Sequence, residues 1–293
     1  MTTTEQGFSL PDRLQIMLEN AIIRSKRAGK SSREINQTKA FFELYRDLPL
    51  PERQARSFAY ALVNEPVYIF PHERINGQIY NVDDPTYGDP SDHIWDTYNG
   101  KYTAEKRIQN ELKWFSSVAS GLSGDVDSTS CNTYIINRDG FPGHIAWNYD
   151  LILSMGIEGL ISRVKMYLEK ETDEASINFY KGVIISLEAV MEWNQRHIDA
   201  MYLMLDSASG DEKESILENI RVMEHVPAMP ARNFREALQS FYFIFLCVMY
   251  EMPYGGNSPG RFDYFLWKYL KQEYESGEIT YQEACEYLAE LFI

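Results

Sequence analysis

A chain of 293 residues with 44% hydrophobic and 14% aromatic side chains carries enough apolar material for one large core or two smaller ones. No run approaches the roughly 18 apolar residues a transmembrane helix needs, and Met1 to Pro11 lacks the basic-then-apolar form of a secretory signal. A formal net charge of −15 argues against nucleic acid or an anionic membrane as a partner. Cys131, Cys247 and Cys285 are odd in number and widely spaced, which points to a reducing cytoplasm without a disulfide framework. No internal repeat or low-complexity segment interrupts the chain.

In chain order, the spacing predicts a helix from Asp12 to a Gly29 cap, with Leu14, Met17, Leu18, Ala21 and Ile22 on one stripe. A second runs from Ser32 to Leu48, and Pro51 suits the first turn of a third. The stretch Glu65-Pro-Val-Tyr-Ile-Phe-Pro-His-Glu-Arg-Ile-Asn-Gly77 reads as a short hairpin, with His72 at the surface or in a cap. Asn81 to Asn99 is rich in Asp, Pro and Tyr and reads as a loop; it lacks the ordered ligand spacing of a calcium loop. A further amphipathic helix is expected from Thr103 to Gly121, and Thr133 to Ile136, β-branched and aromatic before Asn-Arg-Asp-Gly140, reads as a strand. Phe141-Pro-Gly143-His144 leads through Trp147, Asn148, Tyr149 and Asp150 into a helix bearing Leu153, Ile157, Leu160, Ile161, Val164 and Leu168. From Asp173 to Gly210 apolar residues repeat near every 3.6 positions, with a structural His197 beside the stripe. A helix from Glu214 to His225 follows.

The stretch from Pro227 to Asp263 organises the rest. Asn233 and Glu236 read as a capping box, and the ten apolar residues Phe241 to Tyr250 have no polar face, so that helix should be buried on all sides. It runs through Glu251 into Pro253-Tyr-Gly-Gly-Asn257 and Ser258-Pro-Gly-Arg-Phe-Asp263. Beyond lie an aromatic-rich helix to Gly277 and a second capping box, Thr280 with Glu283, opening a helix that is still running at Ile293.

The order Pro-x-x-Pro-x-Arg-x-Phe-x-Glu-Ala-Leu-Gln-Ser-Phe from Pro227, the apolar helix with a terminal Glu, and Ser258-Pro-Gly-Arg-Phe-Asp263 together resemble the glycyl radical enzymes, the pyruvate formate-lyase-like lyases and dehydratases. The family's Gly-Glu-x-Ile-x-Gly turn is matched by Glu73, Ile75 and Gly77, with His72 where Gly is usual; Gly143-His144 and Tyr149 match a second segment, with Trp147-Asn148 replacing its Pro-Asp. The resemblance implies a mostly α chain with a few short strands (α/β), the helical N-terminal half and first strands of a ten-stranded α/β barrel, as one region over 1–293 that stops short of the family's full length. It implies a cytoplasmic, anaerobic lyase or dehydratase that acts on a small polar metabolite by thiyl-radical hydrogen abstraction and forms homodimers when intact. Its radical is installed on glycine by a radical S-adenosylmethionine activating enzyme.

Two residues of that chemistry have no match: a mid-chain radical Cys, and the Gly of an Arg-Val-Ser/Ala-Gly-Tyr type segment. The chain alone is therefore expected to be inactive, to carry no cofactor or metal, and to need the family's C-terminal half. The alternative is a non-catalytic helical binding or assembly protein derived from such an enzyme. His144, Tyr149, Asp150, Tyr254 and Asn257 are the candidates for lining a substrate cavity, with Arg261 and Asp263 structural; His144 otherwise reads as a loop histidine packed under a helix. In the family's diol dehydratases a His-Ser pair that bonds the substrate hydroxyls corresponds to Gly255-Gly256, which offer no side-chain donors. This implies a substrate bulkier or differently charged than glycerol or propanediol, unless the glycines only make a turn.

Overall fold

The structure, a computed structural model, describes residues 10–27, 33–70, 72–77, 147–251 and 258–293. The expected helix at 103–121, the strand at 133–136 and the acidic loop at 81–99 lie outside the described residues, as do Cys131, His144, Tyr254 and Asn257. Among the described residues the fold is helical, with no extended strand. The helical part of the expected architecture is thus present, and the barrel strands are not among what is described.

The first helix, α1 (Asp12–Arg27), and the second, α2 (Arg33–Lys39), begin close to where the periodicity placed them. The second was expected to continue to Leu48, but from Ala40 to Leu44 it widens into a π turn. Ala40, Phe41 and Phe42 are all buried, and three consecutive buried positions do not fit one face of an α-helix. Arg53 fixes the wider turn: its Nε donates to the Phe41 carbonyl at 2.7 Å while its guanidinium lies 3.8 Å from the Phe41 ring centre. Arg53 belongs to α3 (Leu50–Asn64), which carries Pro51 in its first turn.

The next helix, α4 (Tyr149–Leu168), is broken at Gly156, whose φ of 67° lies in the left-handed region. The break receives the Pro227 segment. Ile157 N donates to Pro227 O at 2.9 Å, Glu158 N to Ala228 O at 3.0 Å, and Ala231 N to Leu153 O at 2.9 Å. A Cβ at position 156 would sit 2.3 Å from Ala228 O, so only glycine admits this approach. The long helix α5 (Glu174–Met204) is capped by Asp173, whose carboxylate accepts from Ser176 N at 2.8 Å. α3 packs along it, and at Gly182 an added Cβ would meet Pro51 O at 3.0 Å.

The helices α6 (Gly210–His225), α7 (Phe234–Glu251), α8 (Phe262–Ser276) and α9 (Tyr281–Leu291) complete the described fold. α7 is its axis, in contact with α3, α4, α5, α6, α8 and α9. Phe241 packs edge-on against Tyr149 and Tyr250 edge-on against Phe58, while Phe243 lies tilted against Trp193. The helix is not covered all round: Tyr242, Ile244, Phe245, Val248 and Met249 are half-buried. The capping box at its start is also only half made. Asn233 Oδ1 accepts from Glu236 N at 2.8 Å, but the Glu236 carboxylate is drawn one residue further back, to Arg232 N and the Arg232 guanidinium. At Thr280 and Glu283 both halves are present.

The 72–77 turn, read from the sequence as part of a short hairpin, is a buried joint. Gln239 on α7 clasps the backbone of Asn76 through both amide atoms, each bond 2.7 Å. Glu290 on α9, with only 2% of its side chain exposed, accepts from Arg74 N, from Ile75 N at 2.9 Å and from Arg13 on α1 at 2.7 Å. One buried carboxylate therefore ties the first helix, the turn and the last helix together, its charge offset by Arg13. His72, leading the turn, is exposed and has a φ of 75°.

Candidate functional site

An apolar groove of about 620 Å³ opens between α3, α5 and α7, within the size range of small-molecule sites. Its walls follow helical spacing: Pro51, Ala55 and Phe58 on α3; Gly182, Ser186 and Val190 on α5; Ile244, Cys247, Val248 and Glu251 on α7. Ile152 of α4 closes one side and Trp147 stands at the rim, over a third exposed. The small side chains of Gly182, Ala55 and Ser186 keep the space open where α3 and α5 approach.

Polar groups gather where α7 ends. The Glu251 carboxylate accepts from Gln37 Nε2 at 3.4 Å, Arg33 donates to the Tyr250 carbonyl at 3.1 Å, and the Tyr250 hydroxyl donates to buried Glu65 at 3.1 Å. Cys247 is 5% exposed, and burial drives its thiol pKa far above the usual range. It remains a thiol rather than a nucleophilic thiolate, in keeping with its reading as a small hydrophobe. Among the described residues no cluster of three or more His, Cys, Asp or Glu could hold a metal ion.

Of the five candidate site residues, the structure places two. Tyr149 is 1% exposed, its ring 4.8 Å from Phe241 and 5.6 Å from Phe265, and its hydroxyl has no hydrogen-bond partner. Burial, then the neighbouring Cys247, raises its pKa well above a normal tyrosine's, so the hydroxyl stays protonated. Asp150 points the other way, exposed at the surface and paired with Lys268 of α8 at 2.7 Å. Neither side chain lines the groove. Both fix the first turn of α4, together with the Tyr269 hydroxyl, which donates to Leu153 O at 3.2 Å. Arg261 and Asp263 form an exposed ion pair at 2.8 Å.

His144, Tyr254 and Asn257 lie outside the described residues, and the groove is lined by Trp147 and Glu251, which follow and precede their segments in sequence. Trp147 is three residues after His144, and Glu251 three before Tyr254. The groove itself was missed in the sequence. Its only local signal was the small residues Ala55, Gly182 and Ser186 within otherwise bulky helices.

His197 is fully buried, its ring edge-on to Trp193 and Phe243. Its Nδ1 lies 2.8 Å from the Trp193 carbonyl, so Nδ1 carries the proton and donates, leaving Nε2 without a partner. Burial lowers its pKa to about 4, and it is neutral at physiological pH. It is a core residue, as read from the sequence.

The profile of the family described as Pyruvate formate lyase-like matches residues 10–293. The chain belongs to this family. Among its relatives is the isethionate sulfite-lyase of Bilophila wadsworthia, 29% identical over 166 residues, or 53% of this chain and 20% of that enzyme. The 4-hydroxyphenylacetate decarboxylase glycyl radical subunit of Clostridioides difficile is 30% identical over 151 residues, or 48% of this chain and 17% of that subunit. A solved structure on 1,2-propanediol dehydration in Roseburia inulinivorans superposes with a TM-score of 0.76 at 21% identity, covering 99% of this chain and 40% of that one. The chain thus spans about a fifth of the curated relatives and two fifths of the solved structure that it matches. The family contains lyases and dehydratases of the glycyl radical type.

Proposed function

We propose that this chain is a substrate-side, N-terminal portion of a glycyl radical lyase or dehydratase, acting with the family's C-terminal half and a radical S-adenosylmethionine activating enzyme. The observation that carries this is the groove. It lies where α4 begins and α7 ends, and its lining residues Trp147 and Glu251 adjoin in sequence the two segments that the family resemblance singled out for substrate contact. In this reading His144, Tyr254 and Asn257 recognise the substrate's polar groups, while Tyr149 and Asp150 set the first turn of α4 from the core and the surface. The apolar walls favour a small polar metabolite with an apolar body over a vicinal diol, in line with glycines at positions 255 and 256.

The radical itself is stored elsewhere, because the 293 residues contain no match to the family's glycine segment. Electron paramagnetic resonance after anaerobic incubation with the activating enzyme and S-adenosylmethionine tests this. The chain alone should give no glycine-centred doublet, and the chain joined to a family C-terminal half should give one. A doublet from the chain alone would overturn the reading. In the radical-bearing protein, turnover of glycerol or propanediol at the rate of its best substrate would overturn the substrate class.

A further inference from the structure

We draw no further inference here: the strongest candidate, the exposed aromatic stripe of Tyr264, Trp267 and Tyr274 along α8, is an unpartnered face, and nothing in the structure shows what covers it.

Discussion

His72 holds a backbone conformation that costs a non-glycine residue about 1 kcal/mol or more, yet its neighbours leave it little choice. Arg13 donates to its carbonyl at 2.6 Å, and Glu290 grips the next turn of chain. Glycine is the usual residue at this point of the family turn, and the positive φ supplies the physical reason. His72→Gly should therefore stabilise the fold by about 1 kcal/mol in urea unfolding, despite the greater freedom it gives the unfolded chain. A loss of stability would mean that the histidine side chain contributes more than its backbone strain costs.

His197 makes a second residue-scale prediction, through pH. Its pKa is about 4 when folded, against about 6.5 unfolded. Between those values the unfolded state binds more protons, so stability is retained above pH 6.5 and lost as pH falls towards 4. The loss reaches about 3 kcal/mol if the site stays closed. Denaturant unfolding of the parent and His197→Phe across this range isolates the effect from other acid-sensitive groups. The parent should lose stability relative to the variant as the pH drops, and parallel curves would show that the ring is not buried in solution.

Among the elements, α4 depends most on a contact far away in sequence. Its break at Gly156 exists because residues 227–231 hydrogen-bond into it, and Ala228 O occupies the space of any Cβ there. Gly156→Ala should cost about 3 kcal/mol or more, since it combines a backbone clash with a positive φ. Thermal unfolding measures this, and a change below about 1 kcal/mol would show that the joint can shift. The break also isolates the turns from Tyr149 to Met155, which Tyr269 and Lys268 then tie to α8. Tyr149 to Met155 are thereby held by α8 and by the 227–231 segment.

At the scale of the whole molecule, the question is how much of the apolar surface is satisfied within the chain. The sequence reading gave α7 partners on every side, some from outside these residues. The structure packs neighbouring helices around it, yet leaves Ile244 and Val248 lining an open groove and Tyr264, Trp267 and Phe292 exposed. The isolated chain is expected to self-associate, with sedimentation velocity showing concentration-dependent species. A monodisperse monomer with a sharp cooperative melt would show instead that this surface is tolerated in water.

What the sequence determined by itself was set within three or four residues along the chain. The Asp173 cap, the paired Thr280 and Glu283 and left-handed Gly277 after α8 satisfy backbone groups next to them, and Pro51 in a first turn removes a donor that would lack a partner, so their residue types announce them. The ordered motif from Pro227 to Asp263 also carried the family. The tertiary structure decided what depends on partners distant in the chain. Arg53 widened the turn after α2, Arg232 drew Glu236 out of its capping box, and Glu290 made an expected hairpin into a buried joint. Tyr149 and Asp150, adjacent in sequence, separated into core and surface because successive helical positions are turned about 100° apart. The groove came last to view, since its walls come from residues 50–58, 147–152, 179–190 and 244–251 and no one of those segments encloses it.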